Sequence, residues 1–241
     1  MIADRIGLFG GTFDPVHIGH IEIARGAANA LALDRVYFIP CAQHALGKSP
    51  GATVEQRLAM LELAIENAAS SLLSIDQREL RRKGVSYTID SCREIREGLG
   101  KEAVIGFIIG SDLLDSLHQW QEWQLLLDYV NLIVVDRAEP VTQFSGVETD
   151  KPLPVNPVEA VQQLLDTAVN TLSKPAGQVV ELTLPYYAVS STALRQLLRQ
   201  YFSRGTQHSM SEEGNKLLDQ LRKTVDHSVL SYIIENELYK D

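Results

Sequence analysis

The stretch GLFGGTFDPVHIGH, residues 7–20, decides how the rest of the chain is read. A short apolar run ends in two glycines, and two histidines, His17 and His20, follow three residues apart. A turn alone does not require both features. Gly10 and Gly11 leave a strand without side chains, so backbone N–H groups there can approach a ligand closely. Thr12 and Phe13 continue that loop. Pro15 suits the first turn of a helix, where a missing N–H does no harm. His17 and His20 then lie one turn apart on one face, with Gly19 giving clearance. A helix N-terminus carries partial positive charge and free donors, and two imidazoles add adjustable ones. The stretch reads as a pocket for the phosphates of a nucleotide. It is neither GxGxxG nor a P-loop, because no Gly-Lys-Ser/Thr follows. A Gly-rich turn would account for the two glycines alone. Zinc ligation by the histidines lacks a third ligand at suitable spacing, so no protein-held metal is expected.

Outward from this stretch, β-rich runs alternate with helical patterns. RIGLF (5–9), RVYFIP (35–40), AVIGFII (103–109) and NLIVVD (131–136) read as buried strands, with LLSID (72–76) and QVVELT (178–183) as shorter candidates. HIEIARGAANAL (20–31) and VEQRLAMLELAIENA (54–68) place apolar residues three and four apart, as packed amphipathic helices do. This order predicts an α/β fold: a Rossmann-like, mainly parallel sheet with helices on both faces. Ligands of such sheets sit at the carboxyl ends of the strands. DHSVLSYIIENELY (226–239) reads as a last helix with Asp226 as its N-cap. The Pro-rich and polar residues 138–156 read as a surface excursion, and 204–214 as a polar loop. A single domain is expected over 1–241, with a core at 1–202 and a small helical C-terminal part at 203–241.

Composition narrows the classes of function. Of 241 residues, 45% are hydrophobic and 22% charged, enough for a sizeable core. The formal net charge of −9 argues against a general nucleic-acid binder, which needs basic excess. A small anionic ligand is still compatible with it, since a local positive cluster can oppose the global sign. The apolar run VIGFII is too short to span a bilayer, so no membrane partner is expected. The start MIADRIGLFGG lacks a basic region followed by a long apolar one. Cys41 and Cys92 have no metal-type or redox-type spacing and read as two thiols in a reducing compartment rather than one disulfide. The expected location is cytoplasmic.

Two further clusters carry chemistry. In VSSTALRQLL (189–198), hydroxyls at 190–192 mark a helix start, and Arg195 shares a face with Ser191 and Thr192. Alone, this describes a capped helix with a surface arginine. In IIGSDLLDSLHQW (108–120), Gly110 and Asp112 follow a buried strand. An aspartate there holds a ribose hydroxyl or caps the next helix, and both readings stand. Trp120 stacks on a planar ring or belongs to the core. GVSYT (84–88) places exposed backbone before another helix.

Taken together, GGTFDPVHIGH, GVSYT, GSDLLDSLHQW and VSSTALR resemble the bacterial nicotinate-mononucleotide adenylyltransferases of the nucleotidyltransferase superfamily. Their order and spacing match over residues 6–137 and 179–202. The segments RLAMLELAI and SIDQRELRRKGVSYT, and the terminal NELY, are similar to that family too. The resemblance implies transfer of adenylyl from ATP, with Mg²⁺, to nicotinate mononucleotide. It implies that Gly10, Gly11, Thr12, Phe13, His17 and His20 hold ATP and its phosphates. Ser191, Thr192 and Arg195 would grip the triphosphate from the other side, and Gly110 and Asp112 would bind the adenylate portion. Tyr87, Thr88 and Trp120 would hold the nicotinate ring and its carboxylate. Where the family carries Pro-Pro-His-Lys or Pro-Pro-His-Arg after the second strand, this chain reads PCAQHALGKSP, with His44 and Lys48 displaced. Nothing is carried over to that loop, nor to 138–178 or 203–225. The alternatives are the amide mononucleotide or another phosphorylated acceptor, and a nucleotide sensor without catalysis. Sensing would not require the histidine pair. Assembly into a homo-oligomer is compatible with the sequence.

Overall fold

Strands whose side chains are buried on both faces need near-continuous apolar sequence, and the runs identified above supply it. The computed structural model describes residues 3–42, 49–137, 161, 165–185, 187, 189–205 and 212–240. Among these, β1 (Arg5–Gly11), β2 (Arg35–Pro40), β3 (Leu73–Ile75), β4 (Val104–Gly110), β5 (Asn131–Arg137) and β6 (Val179–Leu184) form one sheet. Its order is β3-β2-β1-β4-β5-β6, and every pairing is parallel. This is a doubly wound order, with its reversal point between β1 and β4.

The two-residue period of the strands divides the core between the faces. On one face Phe9, Phe38, Ile108, Ile133 and Val135 pack against α1 (Ile18–Leu31) and α2 (Val54–Asn67). The same core takes in three C-terminal helices, α7 (Ser191–Gly205), α8 (Glu212–Thr224) and α9 (His227–Glu235). On the other face Leu8, Ile105, Phe107, Ile109 and Leu132 pack against α4 (Thr88–Leu99), α5 (Leu114–Leu117) and α6 (Leu126–Tyr129). A short helix, α3 (Arg78–Arg81), follows β3. Thr53 caps α2 and exchanges bonds with Gln56, and Asp226 caps α9 by accepting from Ser228 N–H. No described helix is long and apolar enough to cross a membrane.

Several boundaries differ from expectation. β1 does not stop at Phe9: Gly10 and Gly11 stay paired to Ile39 and Pro40 of β2. Pro15 is not in the first turn of a helix, because α1 begins only at Ile18 with His17 as N-cap. The carbonyls that an earlier helix start would use are taken: Asp14 O accepts from Arg195 and Pro15 O from Ser191. The expected loop at 204–214 is helical at both ends, since α7 reaches Gly205 and α8 starts at Glu212. The 202/203 division therefore falls inside a helix. The last helix ends at Glu235 rather than at 239, with Glu237 and Tyr239 at positive φ. Tertiary contacts of Leu238 and Tyr239 with the first core favour that turn over another helical one. Both cysteines are free thiols, Cys92 buried and Cys41 half-buried. The proposed excursion at 138–156, and His44 and Lys48, lie outside the described residues.

Candidate active site

A crevice opens where the sheet order reverses. β1 pairs with β2 as far as Gly11↔Pro40, but with β4 only as far as Phe9↔Ile108. Gly10 and Gly11 thus lie at the end of β1 with their β4 side beyond the pairing. Each glycine is needed for a nearby ring. A Cβ on Gly11 would lie 2.9 Å from Phe13 Cζ, and one on Gly10 would lie 3.3 Å from Phe107 Cζ. Phe13 is itself buried, so only its backbone can meet a ligand in the crevice.

The loop from Thr12 to His17 is gripped from behind. Arg57, 1% exposed, donates to Thr12 O at 2.6 Å and to Cys41 O at 2.8 Å. In a trans peptide C=O and the next N–H point in opposite directions. Binding Thr12 O from one side therefore turns Phe13 N–H to the other, and Ser191 on Pro15 O (3.0 Å) does the same for Val16 N–H. The Arg57 Nη1 and Nη2 groups donate to the carbonyls of Thr12, Cys41 and Ala42, so these bonds do not cancel its charge.

His17 and His20 come together, though not as two turns of one helix face. His17 is the N-cap and His20 the third helical residue; the His20 side chain accepts from the His17 N–H, while the His20 N–H bonds the His17 carbonyl at 3.0 Å. Their rings stack at 3.7 Å and 24°. His20 Nδ1 accepts from His17 N–H at 3.2 Å, so the neutral ring carries its proton on Nε2. Phe13 stands edge-on to the His20 ring at 5.1 Å. His17 is buried and His20 half-buried.

The start of α7 closes on this loop. Ser190 Oγ accepts from Ala193 N–H as the cap, Ser191 donates to Pro15 O, and Thr192 Oγ1 accepts from Arg195. Arg195 also donates to Asp14 O and lies 3.5 Å from the Asp14 carboxylate. The first and second sequence clusters, some 180 residues apart, are thus one structure. Beside them a small depression is lined by His17, Gly19, Ile23, Val135, Asp136, Leu184 and Val189.

Gly110 and Asp112 stand at the end of β4, next to β1. A Cβ on Gly110 would run into Asp112 Oδ1, so the carboxylate folds back over the strand end. Ser111 Oγ bonds Asp136 Oδ1 at 3.1 Å, joining the ends of β4 and β5. Across the sheet, Tyr87 caps α4 and Thr88 is its first residue, so the backbone N–H groups there belong to a helix N-terminus. Trp120 is half-buried and meets the Phe107 ring edge-on at 6.1 Å. Phe107 therefore links Trp120 to Gly10.

Sequence reading missed Asp14, Arg57 and Tyr239. Arg57 carried a signal: it stands on the apolar stripe with Met60, Leu61 and Ala64, where a charge needs a reason. Asp14 carried one as well, as an acid inside an anion-binding segment. Its partners Gly51 and Tyr239 are separated from it by 37 and 225 residues, and no local pattern announces them.

The cytidylyltransferase-like family profile matches residues 8–197. A probable nicotinate-nucleotide adenylyltransferase of Chromobacterium violaceum is 37% identical over 98% of this chain and 99% of that protein. The chain belongs to the nicotinate-nucleotide adenylyltransferase family. Another member, the probable nicotinate-nucleotide adenylyltransferase of Pseudomonas aeruginosa, is 34% identical over 98% of this chain and 97% of its own. Among solved structures, the Plasmodium falciparum nicotinic acid mononucleotide adenylyltransferase complexed with NaAD superposes with a TM-score of 0.66. It is 19% identical, with 98% of this chain and 97% of that one covered, and supports the fold.

Proposed function

We propose that this member of the family transfers the adenylyl group of ATP to nicotinate mononucleotide, giving nicotinate adenine dinucleotide and pyrophosphate in NAD biosynthesis. The observation that carries this reading is the closure of the α7 start on the Thr12–His17 loop at the sheet's reversal point. It brings two sets of anion donors to one crevice.

The acceptor phosphate is the nucleophile, largely ionised at neutral pH with a second pKa of about 6, so no protein base is needed. Its oxygen attacks the α-phosphorus as the bond to the bridging oxygen of the β-phosphate breaks and pyrophosphate leaves. The protein's task is positioning and charge stabilisation. Backbone N–H groups of residues 10–13, His17 and the Nε2–H of His20 hold the phosphates on one side. Arg195, Thr192 and the α7 N-terminus meet them on the other, where Ser191 serves through its backbone because its hydroxyl is given to Pro15. Each charge-assisted bond contributes about 1.5–3 kcal/mol. The adenylate portion lies at the carboxyl end of β4, near Gly110 and Asp112. No group of three or more His, Cys, Asp or Glu among the described residues could hold a metal ion. Mg²⁺ would arrive on the triphosphate, coordinated by phosphates and water, and supply charge neutralisation at the leaving group. Thr88 at the α4 N-terminus meets the nicotinate carboxylate, with Tyr87 and Trp120 against the ring. Free thiols at Cys41 and Cys92 support a cytoplasmic location.

Side-by-side kinetics with the acid and amide mononucleotides test the substrate. Donors at Thr88 meet two acceptors in the acid and an opposing NH₂ in the amide. One unmatched buried donor costs about 1–3 kcal/mol, so the acid should lead by roughly tenfold or more in kcat/KM. Trp120→Ala should weaken both acceptors alike, since stacking does not sense the substituent. Equal or reversed preference would assign the amide. No pyrophosphate release with either would refute adenylyl transfer to a pyridine nucleotide.

A further inference from the structure

Asp14 is an acid in the middle of a segment built to receive anions, and it is 4% exposed. Three neutral donors surround its carboxylate. Gly51 N–H reaches Oδ2 at 2.7 Å, while Ala52 N–H and the Tyr239 hydroxyl reach Oδ1 at 3.1 and 2.8 Å. Arg195 is a fourth, more distant partner: its Nη1 bonds the Asp14 carbonyl and pairs with Oδ2 at 3.5 Å. Tyr239 arrives from beyond α9, in a left-handed backbone conformation with φ 62°. Its ring covers Gly51 so closely that a Cβ there would be 3.1 Å from Cδ1 and Cε1, and 3.5 Å from Arg195 Cδ. Burial, and then the Asp14 carboxylate, push the phenol above the usual tyrosine range, so it remains an O–H donor.

We propose that Tyr239 is a positioning residue for Arg195: by bonding Asp14 Oδ1 it keeps the Arg195–Asp14 pair at its long 3.5 Å contact, which leaves the guanidinium available to the triphosphate. This rests on the adenylyl-transfer reading. A buried carboxylate that loses one of its donors draws in the nearest available cation. Arg195 is close enough to answer. A tightened Arg195–Asp14 ion pair would satisfy both charges internally and weaken the arginine as a phosphate ligand. The C-terminal residues thus tune a site whose sequence motifs begin 225 positions earlier.

The test is Tyr239→Phe, which keeps the ring and removes only the hydroxyl. Steady-state kinetics and ATP calorimetry are run on wild type, Tyr239→Phe, Arg195→Ala and the double variant. The expected result is a roughly fivefold weaker ATP affinity and higher KM for ATP, the scale of one hydrogen bond. KM for nicotinate mononucleotide should not change, and the effect should vanish when Arg195 is already alanine. A lowered Tm with unchanged ATP affinity, equal effects on both substrates, or full additivity with Arg195→Ala would each reduce Tyr239 to a structural clamp and overturn the proposal. Absence of turnover in wild type would instead defeat the functional reading, while the ATP calorimetry would still judge Tyr239.

Discussion

The two rims of the proposed site, one assigned above to phosphates and the other to the acceptor, are held by different means. On the phosphate rim, side chains reach far along the chain: Arg57 to Thr12 across 45 residues, Ser191 to Pro15 across 176, and Tyr239 to Asp14 across 225. On the acceptor rim many bonds are local, although Arg93 reaches Glu122 and Arg96 the Pro175 carbonyl. Ser91 donates to Glu79 at 2.8 Å, Arg82 pairs with Glu94 at 2.6 Å, and Trp120 is positioned by a ring edge. The phosphate rim can exist only when the whole chain has folded, including its last helix. Around Glu79 the acceptor rim is assembled mostly from neighbours in sequence. Changes on the first should therefore act on ATP and on the transition state, and changes on the second on the acceptor alone.

The largest effect should come from His20. By comparison with the loss of one oxyanion-hole donor, His20→Ala should lower kcat by roughly 10²–10³. The imidazole has a second task, because its Nδ1 completes the helix cap with His17. Loss of a cap costs about 1 kcal/mol, which lowers Tm by about 2–4 °C in a chain of this size. His20→Gln separates the tasks, since glutamine at this position completes a capping box. It should restore Tm and leave kcat low. Recovery of kcat with Tm would make the ring a structural cap and nothing more.

Arg195 comes next. Arg195→Ala should cost roughly 10- to 150-fold in kcat/KM for ATP, the worth of one charge-assisted bond. Arg195→Lys keeps the charge but loses the fork that reaches Asp14 O and Thr192 at once. It should rescue only part of the loss. Kinetics of both variants with ATP varied, at fixed acceptor, give the answer. Wild-type values for Arg195→Ala would place the arginine outside the site and erase the contrast between the rims.

Much of this was legible in the sequence, for physical reasons that can be traced. Strands buried on both faces wrote themselves as apolar runs, and the glycines at the end of β1 marked the crevice. The motif His17–His20 and the α7 start were each legible as anion sites. Their joining was not, because Ser191 and Pro15 meet only through the tertiary fold. Pro15 was placed in a helix because local propensity favours it there, but Arg195 and Ser191 occupy the carbonyls that such a helix would use. The tail reads as a helix opened by the Asp226 cap. Burial of Leu238 and Tyr239 overrode that reading at its end.

The smallest effect should come from Glu79, beneath the acceptor rim. It is 8% exposed and bonded to Ser91, and Ser86 above it donates to its carbonyl. Burial holds its carboxyl above the usual range, with the Ser91 bond and then Arg82 pulling it partly back. A folded-state pKa above the unfolded one means that the fold binds the proton more tightly. Stability is then greatest below the ordinary carboxylate range near pH 4 and falls as pH rises through the raised folded value. Glu79→Gln can still accept from Ser91 but cannot ionise. Melting curves from pH 4 to 8 should show the variant gaining on wild type as pH rises, by about 1 kcal/mol or less before levelling off. KM for ATP should stay put, because the hydrogen bonds of Glu79 run to Ser86 and Ser91 and its link to the phosphate rim is a weak charge effect on Cys41. A variant that instead falls further behind with rising pH would mean that attraction to Arg82 and Arg78 outweighs desolvation. A shift in KM for ATP would show that the two rims are coupled through the sheet, and the contrast drawn between them would have to be given up.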